Sequence, residues 1–342
     1  MKSGSAIRSA TVPGRVNLIG EWIDFNGGLV LPMAINRFVT VSVLEQGLAE
    51  DTIGSDSFGV EHKAALDAPP AGHWADYVRG AVAFARAQGW IEGGQRVQTT
   101  STLPAGAGVS SSAATIVATL KACGSEAAGL TATDVALAAR RVENEFIGVP
   151  CGIMDQMAVS LCSPGHVLAL ETSTLSNELV ALPADWQFLV INSGYPRSLA
   201  DGAYKARRDE CLAAATSLGI NPLCKAQLDD LNALSEIEKR RARHAVTEDA
   251  RSRQALSALK IKQRNEFGEL MIASHASLAA DMEVSHPAIN AMVSCAVAAG
   301  ADGARITGAG FGGCFVVLTS QSKSEAVWQV LHSQFPGISR LN

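Results

Sequence analysis

A glycine- and serine-rich stretch, Pro104–Ala114, constrains the fold of this chain more than any other segment. The segment before it, Arg96–Leu103, alternates like a strand, and Thr115–Ala122 after it has the small and apolar residues of a buried helix. Gly106 and Gly108 allow the backbone to take positive φ and to approach a ligand closely. The three serines stand where the first N–H groups of the helix lack internal partners. This order predicts an anion site, and phosphate is its natural occupant.

Two interpretations of this stretch are open at this point. It is either a phosphate-binding loop or a plain strand-to-helix turn in which the serines only cap the helix. It is not a Walker A loop, because no Gly-Lys-Ser/Thr closes it, and its glycine spacing differs from the Rossmann G-x-G-x-x-G fingerprint. A phosphate loop here would therefore belong to another class.

Length, composition and charge limit the possible functions. The 342 residues suit two domains, and 47 % apolar with 18 % charged residues is an ordinary globular composition. We place the boundary near Ser163–Gly165, which gives predicted domains 1–163 and 164–342. The net charge of −5 gives no electrostatic basis for binding nucleic acid or an anionic membrane. The basic cluster Lys239–His244 is interpreted as the solvated face of a helix.

The cysteines and the N-terminus bear on the compartment. Seven scattered cysteines without a C-x-x-C pair argue against a disulfide framework or a zinc site and for a reducing compartment. The N-terminal segment has no apolar signal region, and no apolar run reaches membrane-spanning length. We therefore expect a cytoplasmic protein, a monomer or weak dimer, whose partners are small molecules rather than nucleic acid or membrane.

Charged residues in apolar surroundings are the further candidates for function. Arg15, Glu21 and Asp24 flank a short segment with the pattern of a buried strand, so they need each other or a ligand as partners. A mutual ion pair of Arg15 with Glu21 or Asp24 is one alternative. Asp155 lies in a strongly apolar run and is either a helix cap or a tuned acid/base group. Trp74 is either a core residue or a flat surface for a base.

Three separated stretches resemble the motifs of the GHMP small-molecule kinases. They are Pro13–Glu21, Pro104–Ala114 and Gly308–Gly313, and the segment Cys151–Gln156 is similar to the catalytic segment of the galactokinase family within that group. The resemblance extends nearly from end to end and includes Arg243–Glu248 and Ser274–Ser277. It implies an α/β (α+β) fold of two domains, an N-terminal one like ribosomal protein S5 domain 2 and a C-terminal ferredoxin-like one.

The resemblance also implies a site for ATP and Mg²⁺. Ser112 and Glu143 would bind Mg²⁺, a hard cation that takes oxygen ligands and bridges phosphate oxygens. Trp74 would help to line the adenine pocket. The Gly308–Gly313 backbone would pack near the phosphate loop. The residues implied to hold the nucleotide are Trp74, Pro104, Gly106, Gly108, Ser110, Ser111, Ser112 and Ala113.

The implied reaction is phosphorylation of the anomeric hydroxyl of galactose. Asp155 would face that hydroxyl as general base or orienting acceptor. Arg15 would hold Asp155 ionised or stabilise charge on the transferring phosphoryl group, two roles that the sequence leaves open. The residues implied to bind the sugar are Glu21, Trp22, Asp24, Gly152, Asp155 and Tyr204.

This chain departs from the family at Trp22, where the family usually has a histidine near the C6 hydroxyl of the sugar. Tryptophan is larger, offers one N–H donor and accepts nothing. An aromatic side chain at this position could suit a sugar altered at C6 (fucose, arabinose or galacturonate). N-acetylgalactosamine is a weaker alternative, because its 2-position lies elsewhere. A non-catalytic sugar sensor is the alternative from another class, but Arg15, the serine loop, Glu143 and Asp155 are all present. The chain also stops at Asn342, where family members usually continue into a last strand, so the closing edge of the second domain is in question.

Overall fold

The structure is a computed structural model that describes residues 6–104, 106–196 and 200–342. Ala105, inside the predicted phosphate loop, lies outside the described residues. The described strands are, in chain order, β1 (Arg8–Asn17), β2 (Leu29–Val30), β3 (Pro32–Leu48), β4 (Glu50–Ser55), β5 (Glu61–Ala65), β6 (Gly94–Ser101), β7 (His166–Glu171), β8 (Asn177–Ala181), β9 (Trp186–Asn192), β10 (Gly303–Ile306), β11 (Cys314–Ser320) and β12 (Ser339–Arg340).

The described α-helices fall mainly into two runs, one between β6 and β7 and one between β9 and β10. They are α1 (Asp76–Ala87), α2 (Ser111–Ala122), α3 (Ala132–Arg141), α4 (Met154–Leu161), α5 (Ala200–Leu218), α6 (Glu236–Lys260), α7 (Arg264–Ala280), α8 (Pro287–Ala298) and α9 (Ser324–Gln334). A π-helical turn, Val142–Ile147, continues α3, and short 3₁₀ turns lie at Leu223–Lys225 and Leu228–Ala233. Along the part of the chain that the structure describes, none of the helices has the length and apolar content needed to cross a membrane.

The chain forms two compact units whose segments interleave in sequence. The first unit contains the chain up to Arg15, Ile35–Pro104 and Ser110–Leu161, and the second contains 16–34, 105–109 and 162–342. The predicted domain ranges 1–163 and 164–342 stay a prediction.

The first unit has a sheet whose residues alternate between core and solvent. β6 pairs antiparallel with β3 and parallel with β4, β4 pairs antiparallel with β5, and β1 pairs with β3. On β3, Val39, Val41 and Val43 are buried, whereas the hydroxyls of the intervening Thr40 and Ser42 bond to hydroxyls of β1. This period of two is the strand pattern. The α-helices of this unit bury apolar faces; α2 is almost wholly buried.

The second unit contains a four-stranded antiparallel sheet in the order β10-β11-β9-β12. β9 and β11 are continuous apolar strands paired in the register Val316 with Val190, and both are buried. Helix α7 crosses β10 closely, because a Cβ at Gly268 would come within 2.1 Å of the Asp302 carbonyl oxygen. β2 and β8 pair antiparallel with β7, which also pairs with the start of β3 at Met33.

The end of the chain closes the edge of this sheet. Ser339 and Arg340 pair with β9, and the Asn342 side chain donates to the Phe188 carbonyl at 2.7 Å. The edge that the sequence left in question therefore carries a short last strand.

The basic cluster Lys239–His244 differs from its predicted solvated face. Arg241 is 1 % exposed and is bound by Glu210 and Glu283, and His244 is fully buried. The interpretation was wrong for these two residues because α6 packs against both α5 and α7 and so presents more than one buried face.

Candidate active site

The catalytic pair predicted from the sequence comes together in the first unit. Asp155 lies in the first turn of α4, and its side chain is 33 % exposed. Arg15, at the end of the part of β1 that belongs to this unit, is buried and donates to Asp155 Oδ1 from Nε at 2.8 Å and from Nη2 at 2.5 Å. The structure gives Arg15 an ion pair with Asp155, while the alternative of a mutual pair of Arg15 with Glu21 or Asp24 stays a prediction. Two N–H donors from a buried guanidinium fix the direction of a partly exposed carboxylate.

The loop before α2 has the backbone that the glycines predicted. Gly106 and Gly108 take φ of +68° and +79°, and Ser110, the residue before the helix, takes φ of +60°. A non-glycine residue in the left-handed region carries local strain, which is common at functional sites. Ser110 Oγ is buried and has no hydrogen-bond partner among the described residues, so it does not cap α2. The interpretation of these serines as simple caps is therefore not supported for Ser110.

The other serines of the loop have separate environments. Ser111 begins α2, and its carbonyl accepts from Thr115 Oγ1 at 2.8 Å. Ser112 Oγ donates to Glu143 Oε1 at 2.9 Å, which joins the start of α2 to the π-helical turn. Pro104 is half-buried and Ala113 is fully buried.

Glu143 is the buried carboxylate of this cluster, and it is 7 % exposed. Gln156, on α4, donates from Nε2 to Glu143 Oε2 at 2.6 Å. Burial raises the pKa of Glu143 and the negative charge of Asp155 adds to the rise, while the hydrogen bonds from Ser112 and Gln156 oppose it. Sequence reasoning assigned Glu143 to the metal but gave Gln156 no role. The one sequence feature that could have indicated a role for Gln156 is its place in the Cys151–Gln156 segment.

The residues around Glu143 fit a magnesium ion. In residues 6–104, 106–196 and 200–342 no group of three or more His, Cys, Asp or Glu side chains could hold a metal. Mg²⁺, however, is commonly held by one or two protein oxygens and completed by substrate phosphates and water. The Ser112 hydroxyl and the Glu143 carboxylate supply two hard oxygen donors, and Gln156 Oε1 is buried nearby without a partner in the described structure.

Trp74 lies just before α1 as half of a partly exposed aromatic pair rather than in the core. Its ring stacks on Phe58 with centroids 4.8 Å apart and planes 17° apart, and Phe58 is half exposed. Asp76 fixes the loop before Trp74 by accepting from the backbone N–H groups of Ala71 and His73. A flat aromatic surface is available in the first unit.

The sugar-signature residues lie in the second unit, and Glu21 is held there from several sides. Its Oε1 accepts from the Gly308 N–H at 2.6 Å and from Thr307 Oγ1 at 3.0 Å, and Arg305 Nη2 lies 3.6 Å away. Glu21 is only 2 % exposed. Glu21, which was predicted to bind the sugar, therefore also has a structural role. Its carboxylate links the segment around Trp22 to the Gly308–Gly313 segment.

Trp22 and Tyr204, both predicted to bind sugar, are in contact. Their rings lie 4.9 Å apart between centroids, and Phe25 meets Trp22 edge-on at 6.2 Å. Trp22 takes φ of +66° and is 4 % exposed. Its Nε1 has no hydrogen-bond acceptor within the described chain. The indole thus carries an unused donor in a strained and buried position.

The remaining predicted residues are half-buried or buried near these groups. Asp24 is half-buried two residues after Trp22, and Gly152 is buried just before α4. Gly310 and Gly312 have positive φ, and a Cβ on either would meet backbone atoms of the second unit at 2.3 and 2.7 Å. Cys314 N–H donates to the Ala107 carbonyl at 3.2 Å, so the glycine-rich segment does pack beside the loop residues of its own unit.

A buried polar network, which sequence reasoning missed, supports the sugar signature. Glu248 Oε1 accepts from the Gly20 N–H at 2.9 Å and from Ser274 Oγ at 2.6 Å. His244 places Nε2 3.0 Å from the Glu21 carbonyl and Nδ1 2.9 Å from Ser277 Oγ. The available signal was the spacing of His244 and Glu248, which puts both on one helix face.

Charge keeps this network in one protonation state. Burial by itself would raise the pKa of Glu248, but the positive charges of Arg251 and Arg305 and the hydrogen bond from Ser274 hold that pKa at about 2. Burial lowers the pKa of His244, although Glu248 opposes the shift. Glu248 is therefore an anion and His244 is mainly neutral near pH 7.

Comparison with known families places these features in one class. The model for the GHMP kinases N terminal domain matches residues 76–163, the model for GHMP kinases C terminal matches 255–337, and the galactokinase galactose-binding signature matches 3–44. The two-domain GHMP kinase fold expected from the sequence is confirmed. A mevalonate kinase from Methanococcus jannaschii, 22 % identical, has the same fold, with a TM-score of 0.71 over 97 % of this chain and 96 % of that one.

The particular branch follows from individual relatives. A galactokinase from Haemophilus influenzae Rd is 36 % identical over 343 residues, covering 94 % of this chain and 88 % of that protein. The crystal structure of Lactococcus lactis galactokinase complexed with galactose is 28 % identical, with a TM-score of 0.87 over 98 % of this chain and 93 % of that chain. The chain belongs to the galactokinase family and is a kinase.

Proposed function

We propose that this protein uses ATP and Mg²⁺ to phosphorylate the anomeric hydroxyl of galactose, forming galactose 1-phosphate. The single observation that carries this proposal is the Arg15–Asp155 pair, in a chain of the galactokinase family whose loop and Glu143 are also intact. A non-catalytic sugar sensor would be expected to lack one of these groups, and this chain lacks none of them.

Asp155 acts on the hydroxyl that receives the phosphoryl group. Its carboxylate is partly exposed, so a substrate hydroxyl can reach it, and Arg15 fixes its direction. It accepts the proton of the anomeric hydroxyl as the bond to phosphorus forms. Because phosphoryl transfer has a loose transition state, orienting the hydroxyl contributes more than strong basicity.

Backbone N–H groups at the start of α2 hold the ATP phosphates in this proposal. The left-handed Gly106, Gly108 and Ser110 expose backbone donors, and the positive end of the helix dipole favours phosphate charge. Mg²⁺ would be held by Ser112 and Glu143, and when bound it neutralises charge on the phosphate oxygens. Trp74 offers its ring to adenine, for which Phe58 would have to leave the stacked position or share it.

The sugar is held by the signature residues Glu21, Trp22, Asp24 and Tyr204, with Gly152 beside the catalytic aspartate. The unused Trp22 N–H favours a sugar that offers an acceptor oxygen near that residue, because a buried donor without a partner costs about 1–3 kcal/mol. The family places the C6 substituent there. Galactose has an oxygen at C6, whereas fucose ends in a methyl group and arabinose has no C6. Galactose is therefore preferred to both.

A coupled assay of ADP release tests the proposal with a panel of sugars. We expect the highest kcat/KM with galactose, lower values with fucose and arabinose, and no ADP release without Mg²⁺. Trp22→His, which restores the usual family residue, is expected to change the ranking of sugars that differ at C6. An unchanged ranking would remove Trp22 from the sugar site, and binding of galactose without turnover of any sugar would support the sensor.

A further inference from the structure

Gln156 has a place in the first unit that neither the motif nor the proposed reaction explains. It follows Asp155 in α4 and is 1 % exposed. Consecutive residues of a helix point about 100° apart, so the two side chains face different neighbours. Asp155 is held by Arg15, whereas Gln156 reaches Glu143.

The nitrogen and the oxygen of the Gln156 amide differ in their hydrogen bonds. Nε2 lies 2.6 Å from Glu143 Oε2 and 3.4 Å from Cys151 Sγ, so both of its hydrogens have acceptors. Oε1 is buried and has no donor among the residues that the structure describes. Turning the amide over would set an oxygen against the Glu143 carboxylate, so the carboxylate fixes the amide orientation.

Each oxygen of the Glu143 carboxylate in turn accepts a side-chain hydrogen bond. Ser112 Oγ binds Oε1 at 2.9 Å and Gln156 binds Oε2, which sets the plane of the carboxylate. Glu143 stands in a π-helical turn, a local departure from α-helix that is frequent at functional sites. Side chains that orient a metal ligand commonly matter nearly as much as the ligand itself.

We propose that Gln156 is the positioning residue of the magnesium site: its Nε2 orients the Glu143 carboxylate, and its unpartnered Oε1 accepts a hydrogen bond from a water molecule that arrives with the hydrated ion. The inference rests on the proposed function, because it takes Glu143 and Ser112 as the metal ligands. Mg²⁺ usually keeps several of its waters when it binds to protein, so a donor for Oε1 comes with the ion. Through α4, the same glutamine links the metal ligand to the helix that carries Asp155.

The test measures binding rather than turnover. Calorimetry gives the affinity of a non-hydrolysable ATP analogue, first without metal in the presence of EDTA and then, without EDTA, at increasing concentrations of Mg²⁺. Gln156→Met keeps the length of the side chain but removes both donor and acceptor. We expect the Mg²⁺ concentration for half-maximal tightening to rise about 10- to 100-fold, with the metal-free affinity unchanged. Equal Mg²⁺ dependence in wild type and variant would overturn the inference.

Gln95→Met is the matched control. Gln95 is also fully buried in the first unit and also has an unpartnered Oε1, but its amide donates to main-chain carbonyls. A loss of stability without a change in Mg²⁺ dependence is expected for this control. An equal rise in the Mg²⁺ requirement for both variants would mean a general effect of removing a buried amide, and would overturn the inference.

A double-variant cycle shows whether Gln156 acts through Glu143. In the Glu143→Ala background, Gln156→Met is expected to cause no further rise in the Mg²⁺ concentration needed for nucleotide binding. Additive effects of the two substitutions would contradict the coupling between Gln156 and Glu143. If Gln156→Met does not fold, Gln156→Asn, which is one methylene too short to reach Glu143, takes its place with the same expected result. Absence of Mg²⁺-dependent nucleotide binding in the wild type would instead count against the proposed function.

Discussion

The carboxylates of Asp155 and Glu21 are both predicted site residues, yet they occupy contrasting regions. Asp155 is one-third exposed at the start of α4 and is held on one oxygen by Arg15. Glu21 is 2 % exposed and is bound by Gly308, Thr307 and Arg305. The first region leaves a carboxylate partly exposed. In the second region the carboxylate bonds to other groups of the protein, and these bonds fix the backbone that carries Trp22 and Asp24.

This contrast separates variants that lose activity from variants that lose stability. A side chain that faces substrate can be altered with little effect on folding, whereas removing a buried charge leaves its partner uncompensated. The two regions can therefore be told apart by measuring kcat and the free energy of unfolding for the same set of variants.

Asp155→Asn is expected to have the largest effect on turnover. The amide cannot take the proton of the anomeric hydroxyl, so kcat should fall by about 10³-fold or more, the upper range for loss of a general base. ADP release measures kcat, and binding of an ATP analogue by calorimetry should stay within about twofold. Near-normal turnover would contradict the assigned role.

Glu21→Gln is expected to reduce the stability of the second unit. The guanidinium of Arg305 is fully buried and would lose the negative charge 3.6 Å away, so the free energy of unfolding should fall by about 3 kcal/mol. Urea denaturation gives this value. Glu145→Gln, which breaks an exposed pair with Arg141, is the control and should change stability by less than about 0.5 kcal/mol. An equally small effect at Glu21 would mean that its carboxylate is not structural.

The second unit should also lose stability in mild acid. Burial, with a smaller contribution from the charge of Arg305, lowers the pKa of His275 to about 4. The unfolded chain binds a proton at His275 below about pH 6.5 while the folded chain excludes it, so the free energy of unfolding falls from pH 6.5 to about pH 4, by up to about 3 kcal/mol.

His275→Asn should flatten this pH dependence, and urea denaturation at several pH values measures it. The slope that remains comes partly from His244, whose pKa burial also lowers. His332→Asn, on the exposed face of α9, is the control for the loss of a histidine side chain. A pH dependence that survives His275→Asn in full would exclude His275 as its source.

Trp22→Phe should have the smallest effect. Phenylalanine keeps an aromatic ring against Tyr204 but lacks the indole N–H. We expect KM for galactose to rise about 5- to 10-fold, about 1 kcal/mol for one neutral hydrogen bond, with a smaller change for fucose. Steady-state kinetics with both sugars measure the difference. The same rise for fucose would assign the effect to packing instead.

Much of the local structure could be predicted from the sequence. The helices at Asp76–Ala87 and Pro287–Ala298, the strand at Cys314–Ser320 and the left-handed glycines of the phosphate loop all follow from periodicity, capping and glycine placement. These features depend on residues close together in the chain, where side-chain spacing and backbone preference decide the result.

Pairings between distant residues could not be predicted in the same way. Arg15 and Asp155 are 140 positions apart, and no local pattern selects Asp155 over the nearer Glu21 or Asp24. The same holds for Glu21 with Gly308 and for the burial of His244, because tertiary packing decides which charged residue of an amphipathic segment is enclosed. The hydrogen bond from Gln156 to Glu143 was missed because it depends on the π-helical turn that carries Glu143.

The most direct test of the proposed function is to identify the product by ³¹P and ¹³C NMR after incubation with galactose, ATP and Mg²⁺. We expect one phosphorylated sugar, with phosphorus coupled to the anomeric carbon, and no such product from Asp155→Asn. Phosphate on another hydroxyl, or ADP formed without any sugar phosphate, would contradict it.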